Sequence, residues 1–347
     1  MRRVLVVRTD SDGDVLLAGP AVRAVAAHAR VTLLVSPAGV QAARLLPDVD
    51  EVVVFAAPWS GYRPPPVDPV ATEDLIDQLR AAAFDTAVVL TSWHQSPLPA
   101  ALLLRLAGIP QIAAASEDYP GSLLDVRFRA DRAAPGQVHE AEAMLALVRA
   151  AGFEPAEPPD DCVRLVVRHP LPPLPDLVPE APFVVVHPGA SVPARAPRPS
   201  DAAAIVAELG ARGWPVVVTG SPAERALTSA VAGDHAVDLG GRTDLATLAA
   251  VLAAARCVVV GNTGPAHLSA AVGTPVVSLF APVVPLERWR PLGVPLRVLG
   301  DSSAACRSTG ARECPVPGHP CLASVAPAEV AAAVDDLARH PRKALSA

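Results

Sequence analysis

Lysine and aromatic side chains are scarce in this sequence. Lys343 is the only lysine among 29 basic residues, and aromatic residues make up 3% of a chain of 347 residues. The formal net charge is −6, and the basic residues are scattered rather than clustered. A protein that binds nucleic acid or another polyanion presents a basic patch on its surface. We therefore predict that this chain binds no nucleic acid.

Long apolar runs are also missing. No uncharged stretch reaches the length of a transmembrane segment, and the apolar run at 4–7 is too short for a secretory signal. The five cysteines are an odd number in a chain too long to need a disulfide scaffold. These absences predict a cytoplasmic protein with no transmembrane segment.

Hydrophobic residues, in contrast, account for 51% of the chain and charged residues for 18%. Such a chain buries enough apolar surface to offset the entropy lost on folding, which excludes intrinsic disorder. Its length corresponds to about two domains.

Short β-branched runs alternate with Ala- and Leu-rich segments of helical period, which is the pattern of βαβ units. Strands are predicted at 4–7, 31–36, 51–55, 86–91, 111–114, 183–187, 216–219, 257–260 and 275–280. Helices are predicted at 14–29, 38–46, 72–83, 98–107, 140–151, 200–212, 223–231, 245–255, 265–272 and 327–339. Because helices separate most of the strands, the sheets are predicted to be parallel.

A proline-rich segment divides this pattern. Repeated prolines at 171–182 remove backbone donors and enforce an extended path, as expected of a linker. It separates a predicted N-terminal domain, 1–170, from a predicted C-terminal domain, 183–326, which a C-terminal helix and tail follow at 327–347. The predicted fold class is α/β, with two doubly wound Rossmann-like domains facing each other across a cleft.

The first candidate site follows the first predicted strand, in the sequence Arg8-Thr-Asp-Ser-Asp-Gly-Asp14. Loops at the carboxyl ends of strands line the ligand crevice of an open α/β sheet. Asp14 is therefore a candidate for chemistry, and Gly13 lets backbone approach a substrate closely. A helix N-cap is the alternative role for Asp14. Asp10 and Asp12 are predicted to be turn or capping residues.

The same loop also has the form of a haloacid-dehalogenase-type phosphatase motif, with Asp10 followed by Asp12 and Gly13. An acidic segment at 233–238 resembles a second motif of that family. The family uses a lysine against the phosphate, whereas the only lysine here lies four residues from the C-terminus. A magnesium-dependent phosphatase is therefore a minor alternative.

The second candidate site is His187-Pro-Gly189-Ala-Ser191, followed by Arg195. A strand runs into a glycine-containing loop here, and such a loop aims backbone N–H groups and a hydroxyl at a phosphate. Arg195 supplies a fixed charge and a forked donor. These groups suit a diphosphate, although an ordinary turn also explains the sequence.

The third candidate site is the most specific. A predicted strand ends before Asn262 and Thr263, either of which is a candidate N-cap, and Pro265 falls in the first helical turn after Gly264. Free amide donors at that helix N-terminus form an anion site. His267 lies in the first turn, where it is a candidate ligand contact, the alternative being a structural histidine.

Two further loops follow strands of the second half. Thr219 and Gly220 precede Glu224, which either accepts hydrogen bonds from a ribose or caps a helix. Gly241 precedes another predicted helix. The complete set of predicted donor-binding residues is Gly13, His187, Gly189, Ser191, Arg195, Thr219, Gly220, Glu224, Gly241, Asn262, Thr263, Gly264 and His267.

Taken together, these motifs resemble glycosyltransferase family 9, the ADP-heptose:lipopolysaccharide heptosyltransferase-like enzymes. The family pattern R-x-x-x-x-G-D, H-P-G-A-S with a basic residue, and D-x-G-x-x-H-L through L-F-G runs in order through nearly the whole chain. The chain departs from it at Asn262, where the family has aspartate, and at Ala281, where the family has glycine. The first departure removes a negative charge beside the donor.

The resemblance implies a GT-B fold, a nucleotide-sugar donor held mainly by the C-terminal domain, and an inverting transfer without a metal or other cofactor. It also implies that Asp14 is the general base, that Arg195 lies near the donor phosphates, and that Gly264 and His267 belong to the diphosphate-binding turn. The predicted donor is ADP-heptose or a related nucleotide-diphosphate sugar. A hydroxyl of a glycan or secondary metabolite is the predicted acceptor, with the segment 117–129 on the acceptor side.

Two alternatives remain at this stage. A non-catalytic nucleotide-sugar-binding protein is one, because Asn262 departs from the family, and the phosphatase is the other. Cys306, Cys314 and Cys321, with His319 nearby, are not spaced like close-paired zinc ligands. The prediction for the three cysteines is a reduced, structural role, and no metal site is predicted.

Overall fold

The computed structural model describes residues 1–61, 63–92, 94–129, 138–158 and 161–339. The strands are β1 (Arg3–Arg8), β2 (Arg30–Val35), β3 (Glu51–Val54), β4 (Thr86–Val89), β5 (Gln111–Ala115), β6 (Val126–Phe128), β7 (Val184–His187), β8 (Val216–Val218), β9 (Val237–Asp238), β10 (Cys257–Gly261), β11 (Val276–Leu279) and β12 (Leu296–Leu299). Short 3-10 helices occupy Pro37–Gly39, Pro193–Arg195 and Pro222–Glu224.

The α-helices are α1 (Asp12–Leu17), α2 (Gly19–Ala26), α3 (Val40–Leu45), α4 (Pro69–Ala82), α5 (Leu98–Leu106), α6 (Glu140–Ala150), α7 (Pro199–Ala211), α8 (Arg225–Ala232), α9 (Leu245–Ala254), α10 (Gly264–Ala271), α11 (Leu286–Trp289), α12 (Pro320–Ala323) and α13 (Pro327–Ala338). The predicted tail beyond α13 falls at 340–347, outside the described residues, and Lys343 falls there too.

Two six-stranded sheets hold these strands, with orders β3-β2-β1-β4-β5-β6 and β12-β11-β10-β7-β8-β9. Every pairing is parallel, as predicted. The strands β1, β4, β7 and β10 are continuous apolar runs that are buried almost completely. Such runs are typical of parallel strands covered by helices on both faces. The α/β fold class is therefore confirmed.

The two sheets share one strand order. In each, the first strand lies in the middle, the next two extend to one side and the last three to the other. The order reverses between β1 and β4 in the first sheet and between β7 and β10 in the second. Ligands of open α/β sheets bind at the carboxyl ends of the strands at such a switch point. The loops after these four strands are therefore where function is expected.

The chain divides into two compact units, Met1–Leu165 and Val166–Ala347. The predicted boundary at residue 170 lies close to this division, and the proline-rich segment 171–182 belongs to the second unit. Its role as a linker, and the limits 183–326 and 327–347, stay predictions. Among the described residues, no helix is both long enough and apolar enough to cross a membrane.

Several helices begin where local chemistry dictates. The Asp244 carboxylate accepts a hydrogen bond of 2.7 Å from the backbone N–H of Thr247 and caps α9. Hydrogen bonds from Thr247 lower the pKa of Asp244. Asp68 caps α4 in the same way, and Glu329 lies in the first turn of α13 as predicted.

The sequence patterns missed three strands and two short helices. The missed strands are β6, β9 and β12, which have two to four residues, and β6 and β12 each carry an arginine. The strands β6, β9 and β12 are edge strands of their sheets, with a neighbouring strand on one side only. Their partial exposure removes the apolar run that identifies a buried strand.

Candidate functional site

Arg8, at the end of β1, organises the first candidate site. Its side chain is completely buried, and its Nε atom lies 3.2 Å from Oδ2 of Asp10. Its Nη2 atom donates hydrogen bonds to Oδ1 of Asp14 at 3.2 Å and to Oγ of Ser92 at 3.0 Å. Ser92 follows β4, so the contacts join the loops on both sides of the switch point.

Asp14 lies in the first turn of α1. The backbone N–H and the hydroxyl of Ser11 donate to its Oδ2 atom at 3.3 and 2.7 Å. The N-cap of α1 is Ser11 rather than Asp14, and Asp14 completes a capping box with it from the third helical position. These bonds coexist with the contact to Arg8. The Asp14 side chain is 21% exposed, whereas that of Asp10 is 9% exposed. Asp14 is thus the more accessible carboxylate of the pair, and Gly13 beside it is buried.

Asp10 and Asp12, which were predicted to be turn or capping residues, both contact residues outside their own loop. Gln95 donates from Nε2 to Oδ1 of Asp10 at 2.6 Å, so both carboxylate oxygens of Asp10 have partners. The backbone N–H of Ala42 donates to Asp12 at 2.8 Å. Burial raises the pKa of Asp12, and hydrogen bonds from backbone oppose the shift. An Asp10 nucleophile, which the phosphatase alternative requires, would have to leave Arg8 and Gln95.

The charge balance around Arg8 favours its ionised form. Burial by itself lowers the pKa of the guanidinium, but the charges of Asp10, Asp14 and Glu140 outweigh burial and hold the pKa above its ordinary value. Glu140 is the first residue of α6 and is 1% exposed. Arg8 is therefore a permanent buried cation among three carboxyl groups.

The second candidate site begins at His187, the last residue of β7. Its Nδ1 atom lies 3.0 Å from Oγ1 of Thr219, which follows β8, and both side chains are buried. Burial lowers the pKa of His187 to about 4, although the charge of Glu224 works against the shift. His187 is therefore neutral near pH 7, and the Thr219 hydroxyl has His187 as its neighbour.

A neutral buried His187 makes stability depend on pH. The ring binds a proton below about pH 6.5 in the unfolded chain, but only below about pH 4 in the folded one. The contribution of the neutral His187 ring to the free energy of unfolding is therefore fully present above about pH 6.5 and is lost as the pH falls towards about 4. The midpoint of thermal unfolding, measured between about pH 4.5 and 7.5, checks this dependence. We expect the unfolding midpoint of His187→Asn to depend less steeply on pH than that of the wild type. The control His235→Asn, at an exposed position, should keep the wild-type slope. Equal slopes in the wild type and both variants would contradict the prediction.

Glu224 and Gly189 contact each other across neighbouring loops. The Oε2 atom of Glu224 accepts hydrogen bonds of 2.8 Å from both the backbone N–H and the hydroxyl of Ser221. A Cβ atom at Gly189 would overlap Oε1 of the same carboxylate. The capping alternative for Glu224 is therefore present in the structure. A β-carbon at Gly220 would lie 2.5 Å from Cγ2 of Thr228, so this loop also needs glycine.

Replacing Gly189 with alanine tests this contact. The new methyl group has to displace the Glu224 carboxylate and break its bonds to Ser221. We expect the free energy of unfolding, measured in urea, to fall by about 1–3 kcal/mol. Gly210→Ala is the matched control, because Gly210 lies in α7 with open space around it; it should gain up to about 1 kcal/mol. Equal stability of the two variants would argue against the contact.

Arg195 and Asn262 are brought together by a close approach of backbone. Arg195 ends a 3-10 helix after β7, and Gly261 ends β10. A β-carbon at Gly261 would lie 2.5 Å from the backbone oxygen of Arg195, so only glycine permits this approach. The same 3-10 helix is held from the other side, because the N–H of Ala194 donates to the carbonyl of Arg312 at 3.0 Å.

Asn262 follows directly and is 3% exposed. Its buried Nδ2 atom has no hydrogen-bond partner among the described residues. An unsatisfied buried donor is costly, about 1–3 kcal/mol, so such groups are often reserved for a ligand. Thr263 is the N-cap residue of α10 by position, but its side chain makes no capping bond.

The helix α10 begins at Gly264, with Pro265 in its first turn, as predicted. Pro265 has no N–H, and the N–H of Ala266 donates to the carbonyl of Thr263 at 3.0 Å. The start of α10 therefore has fewer amide donors for an anion than a typical helix N-terminus, with that of Gly264 as the first. His267 lies at the end of the first turn and is 4% exposed. Of the predicted residues, Asn262, Gly264 and His267 therefore lie at the end of β10 and the start of α10, and Arg195, in the 3-10 helix after β7, approaches them through its backbone contact with Gly261.

Two predicted donor-binding residues lie in other surroundings. Ser191 is exposed in the loop after β7. Gly241 has a φ of +64°, a left-handed conformation that favours glycine, and its N–H donates to the carbonyl of Gly220 at 2.8 Å. It therefore links the loop after β9 to the loop after β8. Gly261 and Gln95 are contributors that the sequence reasoning did not identify.

The five cysteines are free thiols. Cys306 and Cys321 are buried in one apolar core, and burial together with the neighbouring thiols raises the pKa of Cys321 to about 11. Cys314 lies 3.3 Å from the carbonyl of Val316. Within the described ranges, no group of three or more histidine, cysteine or acidic residues is arranged to hold a metal ion.

The family model of glycosyltransferase family 9 (heptosyltransferase) matches residues 73–318 of this chain. The chain belongs to glycosyltransferase family 9. The matched part includes the His187, Glu224 and Asn262 loops and the whole of α10. No curated protein sequence matches the chain significantly.

Solved structures agree on the fold. The ADP-heptose lipopolysaccharide heptosyltransferase II of E. coli matches with a TM-score of 0.73 and 20% identity over 97% of this chain and 98% of that one. A glycosyltransferase family 9 protein from Veillonella parvula DSM 2008 gives 0.76 and 16%, covering 97% of each chain. The E. coli heptosyltransferase WaaC, solved with ADP-2-deoxy-2-fluoro heptose, gives 0.68 and 19% over 96% and 99%. This glycosyltransferase therefore has the GT-B fold.

Proposed function

We propose that this family 9 glycosyltransferase transfers a heptose or related sugar from an ADP-linked donor to a hydroxyl of a glycan or secondary metabolite, with inversion at the anomeric carbon. The observation that carries the proposal is the clustering of Arg195, Asn262, Gly264 and His267 at the β7–β10 switch point. Diphosphates bind at such positions in doubly wound sheets. The solved relative WaaC, which holds an ADP-sugar analogue, supports an ADP-linked donor.

Each donor group has a partner of matching chemistry. Arg195 supplies a forked cation for the diphosphate, and the N–H of Gly264 at the start of α10 adds a donor. The Asn262 amide has a donor to offer. We assign the ribose to Glu224, which ends the 3-10 helix that follows β8, because acidic residues after a strand bind the ribose in dinucleotide-binding sheets. To bind a ribose through Oε2 it would have to give up its bonds to Ser221, so Oε1 is the better acceptor.

The reaction is a single displacement. The acceptor oxygen attacks the anomeric carbon as the bond from that carbon to the diphosphate oxygen breaks, and the Asp14 carboxylate takes the proton of the hydroxyl. The departing nucleoside diphosphate carries the electron pair of the broken bond. Arg195 and the N–H of Gly264 stabilise the charge that develops on it. Because these groups supply the positive field, we propose that no metal takes part.

Asp14 is preferred to Asp10 as the base because of exposure and bonding. Asp10 has partners on both carboxylate oxygens and is the more buried of the two. Asp14 is more exposed, although it also contacts Arg8 and Ser11. A cytoplasmic location and an acceptor contact for the segment 117–129 belong to the same proposal, the former because the cysteines are free thiols.

A donor screen tests the proposal without knowledge of the acceptor. Thermal unfolding is followed with ADP, GDP, UDP, CDP, ADP-heptose and ADP-glucose, since a ligand that binds the folded state raises the midpoint. We expect ADP and ADP-heptose to raise it most and the Arg195→Ala variant to lose the shift. No shift with any nucleoside diphosphate would overturn the proposal.

Transfer is then followed as release of ADP in the presence of candidate acceptors, with and without a chelator. Release that survives the chelator supports a metal-independent transferase. Binding without release for every acceptor favours the non-catalytic alternative. Magnesium-dependent phosphate release that is lost in Asp10→Asn and kept in Asp14→Asn would favour the phosphatase.

A further inference from the structure

We propose that Arg8 is a positioning residue, which holds the Asp14 carboxylate in the orientation and the ionised state that a general base needs. The inference rests on the proposed function for its catalytic consequence, but its structural part is independent of any substrate. Arg8 touches no reacting atom in this scheme, since its side chain is completely buried.

The geometry carries the first step. Arg8 holds Oδ1 of Asp14 through Nη2, while Ser11 holds Oδ2. The carboxylate is therefore fixed at both oxygens, one by a buried cation and the other by the start of α1. Oδ2 accepts two hydrogen bonds from Ser11, which occupy its two lone pairs, so we assign proton transfer to Oδ1. These contacts restrict rotation of the Asp14 carboxylate and fix the direction in which it accepts a proton.

Arg8 is itself held rigidly. The hydroxyl of Ser92 accepts from the same Nη2 atom at 3.0 Å, and Asp10 lies 3.2 Å from Nε. Gln95 fixes both partners, because its Nε2 donates to Asp10 at 2.6 Å and its Oε1 accepts from the N–H of Ser92 at 3.0 Å. The orientation of Asp14 thus depends on residues that follow β4, on the other side of the switch point.

The charges around the guanidinium explain why an arginine is needed. Three carboxyl groups face it: Asp10 from the same loop, Asp14 from α1 and Glu140 from the start of α6. A cation that stays charged at all relevant pH values favours the ionised form of a neighbouring carboxyl group such as that of Asp14. Without Arg8, two or three negative charges would share a poorly solvated region, and Asp14 would take up a proton at a higher pH.

Turnover and its pH dependence test the proposal through Arg8→Gln and Arg8→Lys. In Arg8→Gln we expect kcat to fall by about tenfold or more at neutral pH and the acidic limb of kcat/KM to move up by about one pH unit. The KM for the donor should stay within about twofold, since Arg8 lies in the other sheet from the donor residues. Arg8→Lys keeps the charge, so its acidic limb should stay close to that of the wild type. An unmoved limb in Arg8→Gln would overturn the proposal.

A double-mutant cycle shows whether Arg8 acts through Asp14. If it does, adding Arg8→Gln to Asp14→Asn should lower kcat by less than about twofold further. A further loss as large as that in the wild-type background would overturn the proposal, because a purely structural role does not depend on Asp14. The double variant also removes a carboxylate charge that Arg8 no longer balances, which favours folding.

A substrate-free measurement separates this inference from the proposed function. Carbon-13 NMR follows the side-chain carboxyl carbons of labelled aspartate as a function of pH, and the Asp14 signal is the one missing in Asp14→Asn. We expect its half-shift to occur at a higher pH in Arg8→Gln. That shift supports the inference even if no nucleotide sugar is a substrate. Should Arg8→Gln fail to fold, Ser92→Ala replaces it, with a smaller shift in the same direction; an unchanged half-shift in the folded variant would overturn the inference.

Discussion

Asp14→Asn is expected to bind ADP with the affinity of the wild type and to turn over at least about a hundredfold more slowly. The amide keeps the shape of the side chain and loses the ability to accept the proton of the acceptor hydroxyl. The contacts that we propose for the donor nucleotide come from the other sheet, so we expect them to stay intact. The checking measurements are ADP affinity by calorimetry and ADP release in the presence of acceptor.

Asp12→Asn is the matched control for this variant. Asp12 lies two residues away in the same helix turn, and its carboxylate accepts from the N–H of Ala42. The amide oxygen of asparagine accepts the same bond, so turnover should stay within about threefold of the wild type. Equal turnover of Asp14→Asn and the wild type would remove Asp14 from the role of base.

Arg195→Ala is expected to weaken ADP binding by about 10- to 100-fold, which is the range for losing a charged hydrogen-bond donor to a phosphate. The loss should shrink as salt is added, since screening weakens the attraction between Arg195 and the diphosphate, which only the wild type has. Adenosine, which has no phosphates, should bind the two proteins alike. Calorimetric titrations with both ligands at low and high salt make the comparison.

Arg198→Ala is the control for that variant. Arg198 lies only three residues further along, but its guanidinium is paired with Asp201, with contacts of 2.7 and 2.8 Å. Removing it from the surface should change ADP affinity by less than about twofold. If both variants weaken ADP equally, the effect is one of net charge, and Arg195 has no specific contact with the diphosphate.

Strands that are continuous apolar runs were predicted well from the sequence. The strands β1, β7 and β10 are valine-rich runs buried on both faces, and each appeared within one or two residues of its predicted limits. The edge strand β12 could not be predicted in this way, because it is half exposed and includes Arg297. Local sequence is a weak guide when neighbouring strands decide whether a segment pairs.

The candidate site was predictable only in its local parts. The loops after β1, β7 and β10 carry their motifs as contiguous residues, so position after a strand was enough to select Asp14, His187 and Asn262. The contacts that orient them are not local. Ser92 and Arg8 are 84 residues apart. The approach of Gly261 to Arg195 likewise depends on two strands being neighbours in a sheet, which no spacing in the chain reveals.

The hydrogen bond from Ala194 to Arg312 connects the loop after β12 to the 3-10 helix that ends in Arg195. Residues 301–319 resemble an ordinary surface connection, where insertions and deletions are usually tolerated. Here this loop supports the 3-10 helix that ends in Arg195. The backbone N–H groups of Ser308 and Gly310 in the same loop donate hydrogen bonds to the carbonyls of Pro282 and Val283. Lengthening or trimming this loop should loosen Arg195 without touching any motif residue, so homologues that differ in this connection will differ in how firmly their guanidinium is held.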